Sequence, residues 1–183
     1  MNLIATIIAQ DPVGMKQLRA ARSLGLPDWC IAAGFVRNRV WDHLSGIVPA
    51  RPQADVDVVY FDTADPAGAR ESEHEAALRA LSPQTPWQVR NQGRMHARHG
   101  DAPYRDTADG MRRWLETATA VGVRLAADGR IEVLAPCGLS DVLGLVCRPT
   151  AAGCERSAAY WARVNGKGWR QRWPGLQVID PRA

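Results

Sequence analysis

The chain has 183 residues, room for one hydrophobic core of ordinary size and little for a second. Its 46% hydrophobic and 23% charged residues match globular averages, which excludes a disordered chain. The net charge of +4 rests on scattered arginines (the lysines are Lys16 and Lys167 alone), so a dedicated nucleic-acid surface is not favoured.

The apolar run that opens the chain is too short to span a membrane and lacks the basic flank of a secretory signal. The cytosol is the expected compartment. Cys30, Cys137, Cys147 and Cys154 form no CxxC pair and have no histidine at zinc-ligand spacing, so they read as reduced, mostly buried thiols. Seven tryptophans are many for this length, and some are expected to line a groove.

In chain order, Asp11 caps a helix with Pro12 at its first position; Met15 to Leu24 carries the apolar period and Gly25 ends it. Trp29 to Ala33 is a short buried strand closed by a turn at Gly34. Val36, Val40, Trp41 and Leu44 have helical spacing, and Gly46 stops that helix. A loop from Ile47 to Ala54, with Pro49 and Pro52, leads into the β-branched strand Asp55 to Asp62. Asp65-Pro66 opens a helix that runs to about Leu81. Trp87 to Met95 reads as a strand and His96 to Ala108 as polar loop. A helix from about Asp109 to Glu116 precedes strands at Thr117 to Leu125 and Arg130 to Leu134, joined by a hairpin-like turn at Asp128-Gly129. Asp141 to Val146 reads as a short helix or strand. The last segment, from Ala152, is a helix through Tyr160 and Trp161 with a Gly- and Trp-rich tail. Strands alternating with helices, plus a late hairpin, predict an α/β (α+β) single domain with a mixed sheet flanked by helices.

The chemistry concentrates at Asp55 and Asp57. Two carboxylates one residue apart on a strand leave the same face, about 7 Å apart at Cα. Such a pair can share divalent cations, and Mg²⁺ binds through one or two carboxylates plus substrate phosphates. Upstream, Gly34 follows a buried strand and opens a helix, a suitable cradle for phosphate. Arg37 and Asn38 lie in that helix's first turn, with Arg37 as a candidate guanidinium clamp on phosphate oxygens. The same spacing also suits a glycosyltransferase of the Asp-x-Asp kind, although 183 residues are few for one.

Ala33-Gly34-Phe35-Val36-Arg37-Asn38, Val40-Trp41-Asp42 and Asp55-Val56-Asp57 resemble the DNA polymerase β-like nucleotidyltransferase superfamily and, more narrowly, a bacterial nucleotidyltransferase-like family. The resemblance continues through Asn91-Gln92, Met95-His96, Glu116 to Arg124, Ala135 to Asp141 and Arg148-Pro149. It implies transfer of a nucleoside monophosphate from an NTP to an acceptor hydroxyl with two Mg²⁺ ions. Asp55 and Asp57 match the first two carboxylates of the superfamily, and Gly34 matches the second residue of its glycine turn. Ala33 stands where the first glycine is expected. For the third carboxylate the candidates are Glu116, Glu132 and the amide Gln88, with Glu116 favoured. A catalytically degenerate nucleotide-binding module is the alternative.

Of the other polar residues, Asp62 reads as a turn cap and His96 and His99 as loop histidines without visible partners. Asn91 and Gln92 read equally as base-reading amides or as structural ones. The interleaved arginines and tryptophans from Tyr160 to Trp173 suit phosphate holding and base stacking, but the favoured reading is a terminal helix whose tryptophans dock on the core.

Overall fold

Alternating β-branched residues build the centre of the fold in a computed structural model, which describes residues 2–48, 55–65 and 67–182. Strands β1 (Cys30–Ala32), β2 (Val56–Tyr60), β3 (Trp87–Asn91), β4 (Gly122–Leu125) and β5 (Ile131–Leu134) form one sheet in the order β3-β2-β1-β4-β5. β1 runs antiparallel to both β2 and β4, β4 antiparallel to β5, and β2 parallel to β3. The sheet is therefore mixed, as the sequence predicts.

Period-two alternation gives the sheet two different faces. Ile31, Val56, Val58, Val89 and Val123 point into the larger core. That core is shared with α1 (Leu3–Ala9), α2 (Pro12–Ser23), α3 (Gly34–Leu44) and α4 (Glu71–Leu81). On the opposite face Cys30, Ala32 and Val59 pack with Met111 and Ala120 in a smaller cluster. Asp57 sits on this second face, between Ala32 of β1 and Gln88 of β3.

Several expectations are corrected. The opening apolar run is α1, started by the Asn2 side chain accepting from the backbone N–H of Ile4. The strand expected to reach Met95 stops at Asn91, whose side chain caps α5 (Gln92–His99) by accepting from the Gly93 N–H. Much of the expected polar loop is thus helical, and it leads to α6 (Thr107–Arg112), displaced from the expected Asp109 to Glu116. Residues 117 to 121 form tight turns, so that strand begins only at Gly122. The helix expected to open at Asp65-Pro66 begins at Glu71 instead; Asp65 accepts from the N–H groups of Ala69 and Arg70 just before it. The expected turn residues 49–54 and Pro66 lie outside the described residues.

The C-terminal quarter holds α7 (Ser140–Leu143), α8 (Ala151–Glu155), α9 (Ser157–Gly166) and α10 (Trp169–Arg172), and Val142, Tyr160, Val164 and Trp169 join the larger core. β6 (Val146–Cys147) and β7 (Gln177–Val178) pair in parallel as a separate ribbon. The tail docks by its tryptophans. Trp41 of α3 meets Trp173 edge-on at 5.0 Å and Trp169 at 6.0 Å between ring centroids. The Trp173 indole N–H donates to the buried Asp42 carboxylate at 2.8 Å, and Arg172 donates to the other oxygen of that group. Truncation of Trp173 removes both the ring packing and a donor to a buried charge. Trp173→Ala should therefore cost about 3–5 kcal/mol, read as a lowered midpoint in urea unfolding.

Candidate active site

The register of β1 on β2 builds the site. Ala32 lies opposite Asp57, and Ala33 continues β1 into a turn that starts α3 beside that acid. Ala33 has φ 56° and ψ −123°, a conformation L-residues seldom adopt. The sequence resemblance expects a glycine at this position, and alanine here holds a backbone shape that glycine adopts more readily. Gly34 follows in ordinary helical backbone. A Cβ added there would meet the Asn38 and Arg37 side chains first, at 3.4 and 3.7 Å. The protein itself thus leaves room for a methyl group.

Asp55, directly before β2, and Asp57 within it share a face by alternation. Burial and the neighbouring Asp55 charge raise the pKa of Asp57 above the usual carboxylate value, while Arg163, Arg37 and Arg90 oppose the rise. A cation is the natural partner for such a pair, and its oxygen donors suit Mg²⁺. Among the described residues no three His, Cys, Asp or Glu side chains converge on a point where they could hold a metal ion.

A cavity of about 450 Å³ opens over Asp57, in the size range of small-molecule sites. Its floor is Asp57, Val59 and the Ala33 turn. One wall is the inner side of α5, where Gln92, Met95 and His99 recur at helical spacing. The rest of the lining includes Arg90, Arg113, Trp114, Glu116 and, from the start and middle of α9, Arg156 and Arg163. Arginines outnumber acids around this space, so its field favours a polyanion.

The sequence candidates separate clearly. Glu116 lines the cavity but is 1% exposed, with the Arg163 Nε 3.0 Å from one carboxylate oxygen and donating to the other at 3.2 Å. Its backbone forms an isolated bridge to Pro149. Glu132 is on the edge strand β5, three strands from β2 and thus about 14 Å across the sheet. It pairs there with Arg124 at 2.9 Å. Gln88, the amide, is the candidate that shares a rung of the sheet with Asp57.

Arg37 does not line the cavity. Its guanidinium is buried, 4.3 Å over the Trp169 ring, and donates to the Thr119 hydroxyl at 2.8 Å and to the Asn38 side chain at 2.9 Å. Burial lowers its pKa to about 10, against the opposing charge of Glu116. Asn38 is accordingly a partner of Arg37. Asn91 is fully buried and joins the Asp62 and Asp65 carbonyls to the α5 cap, a structural amide, whereas Gln92 faces the cavity. Asp62 caps its own turn by accepting from Ala64. Sequence reading weighs Arg163 as a tail cation but favours a docked tail, and it does not single out Arg113 or Arg156. A further signal was the i, i+7 spacing of Arg156 and Arg163, which places them two helical turns apart on one side.

The family model described as nucleotidyltransferase matches residues 19–178 of this chain. The chain belongs to the nucleotidyltransferase family. A protein solved by NMR and described as revealing a CCA-adding enzyme head domain is 35% identical, with a TM-score of 0.85 over 97% of this chain and 94% of that one. A CCA-adding enzyme in complex with CTP shares the fold at 13% identity and a TM-score of 0.61, over 98% of this chain and 44% of that one. A tRNA-processing enzyme complex is similar at 15% identity and a TM-score of 0.56, over 90% and 43% respectively. The chain thus spans less than half the length of these last two. No curated protein matches it. No helix among the described residues is long and apolar enough to cross a membrane.

The nucleotidyltransferase turn yields a stability test. Ala33→Gly relieves a backbone cost of about 1–3 kcal/mol, against about 0.4–1 kcal/mol of added unfolded-state entropy. The variant should unfold at higher denaturant, by about 1 kcal/mol.

Proposed function

We propose that this chain transfers a nucleoside monophosphate from an NTP to an acceptor hydroxyl, with Asp55 and Asp57 as its metal-binding carboxylates. The observation that carries this reading is the placement of Asp57 on the cavity floor, one rung from the Ala33–Gly34 turn and facing a wall of arginines. Bound Mg²⁺ would supply charge neutralisation for the phosphates and acidify the acceptor hydroxyl. The chain's own groups do the rest. The N-terminus of α3 and the arginines Arg113, Arg156 and Arg163 attract and orient the triphosphate. Trp114 and Met95 offer flat apolar surface at the cavity wall for a base or acceptor. Arg37 acts at one remove, holding the turn by its bonds to Asn38 and Thr119. Glu116 in turn holds Arg163.

One observation favours a second reading, the degenerate nucleotide-binding module. The third acid proposed from sequence, Glu116, is engaged by Arg163, and the residue in register with Asp57 on β3 is the amide Gln88. Pyrophosphate release in the presence of Mg²⁺ separates the two readings.

Two variants test the site. Asp57→Asn should fold and lose Mg²⁺-dependent NTP binding by at least about tenfold in calorimetry, since one carboxylate of the pair is gone. Unchanged affinity would refute the assignment. Gly34→Ala should have opposite effects on stability and binding. The helix gains up to about 1 kcal/mol from the exchange, since a Cβ fits the space there. Triphosphate approaching the turn meets the new methyl group, so NTP affinity should fall about tenfold while nucleoside affinity holds. Equal losses for both ligands would count against phosphate binding at this turn.

A further inference from the structure

The cavity carries a hydrogen-bonded chain that the nucleotidyl-transfer reading leaves unused. The Tyr104 hydroxyl, on the segment between α5 and α6, donates to the Asp101 carboxylate at 2.5 Å. His99, the last residue of α5, has its Nδ1 3.3 Å from the same phenolic oxygen. Tyr104 is 6% exposed, and the ring of His96, one turn back on α5, meets it edge-on at 5.9 Å. The tyrosine is therefore fixed, whereas His99 stands at the cavity rim.

The direction of these bonds sets the histidine tautomer. An ionised carboxylate only accepts, so Tyr104 spends its one proton on Asp101. The phenolic oxygen can then only accept from His99, which places the imidazole proton on Nδ1 and leaves Nε2 with a bare lone pair. This is the arrangement a general base requires: an oriented imidazole whose far nitrogen is unprotonated. Of the other acids that line the cavity among the described residues, Glu116 is ion-paired with Arg163 and Asp57 is assigned to the metal pair.

We propose that His99 is the general base of this site, accepting the proton of the acceptor hydroxyl, with Tyr104 and Asp101 as the residues that position it. The inference rests on the nucleotidyl-transfer reading. In the step, the acceptor oxygen bonds to the α-phosphorus, the bond from that phosphorus to the bridging oxygen breaks, and pyrophosphate leaves with that electron pair. The hydroxyl proton passes to Nε2 and then to solvent at the cavity rim. The groups facing His99 suit the role. Partial burial and the charge of Arg156 lower its pKa, with Arg98 on its own helix adding to this and Asp101 opposing it. The neutral imidazole is thus the form present at neutral pH, and protonation on acidification removes the base.

The test reads the tautomer first, in the ligand-free 183-residue chain, by long-range ¹H–¹⁵N correlation of the four imidazoles. His99 should carry its proton on Nδ1 and titrate below the ordinary histidine value, and Tyr104→Phe should shift the proton towards Nε2. Pyrophosphate release from ATP, CTP, GTP and UTP with Mg²⁺, using water as acceptor, then reads the chemistry. His99→Gln should lower kcat about 100-fold, flatten the acid limb of the pH profile and leave NTP affinity unchanged. An Nε2–H tautomer in the unmodified chain overturns the proposal, as does a His99→Gln variant that keeps its rate and acid limb. NTP binding without any release by the unmodified chain also overturns the base role and leaves a binding module. Failure of NTPs to bind at all removes the transferase reading itself, a result distinct from failure of His99 alone.

Discussion

The rung that joins Ala32 to Asp57 governs the arrangement around it. It is one pair in a three-residue ladder, yet it sets the end of β1 against the acidic strand, so the turn at Ala33 has one place to go. A one-residue slip would turn Asp57 into the larger core and expose Val56 or Val58. The buried valines on one face therefore hold the carboxylate on the other, and the site inherits the rigidity of the core without belonging to it.

The acidic strand was legible because its pattern is strict: charged at Asp55 and Asp57, apolar at Val56 and Val58. The helix α5 was not, for a physical reason. A helix announces itself by an apolar stripe at 3.6-residue period, and the inward stripe of α5 is Gln92, Met95 and His99. It faces a hollow rather than a core, so its polarity belongs to the site. The region read as loop was, in part, a wall of the cavity. Glu116 lines the same cavity as Asp57, but its pairing depends on Arg163, 47 residues later. Arg37 shows the same limit: its place in the first turn of α3 was readable, whereas Trp169 stacked on its guanidinium was not.

Those long-range partners give the C-terminal segment a part in the site beyond covering the core. α9 brings Arg156 and Arg163 to the cavity, and the following tryptophans lock that helix onto α3 through Trp41. The same α3 begins at the Ala33–Gly34 turn. Packing of the tail and geometry of the turn therefore share one rigid element, with the buried Arg37 stacked between Trp169 and the Thr119 hydroxyl. Substitutions in the tail tryptophans act on the cavity through packing, although those side chains lie outside it.

The central position of β1 also has a consequence for biosynthesis. One edge of this strand is covered by β2, but the other waits for β4, where Ile31 finally meets Val123. Translation at about 5–20 residues per second puts those partners on the ribosome roughly 5–18 s apart. Until then, a buried-type strand of Cys30, Ile31 and Ala32 keeps an open edge in the nascent chain. Its shortness limits that hazard, because three residues offer a weak template for pairing with another chain. The brevity of β1 thus serves the emerging polypeptide as well as the finished sheet.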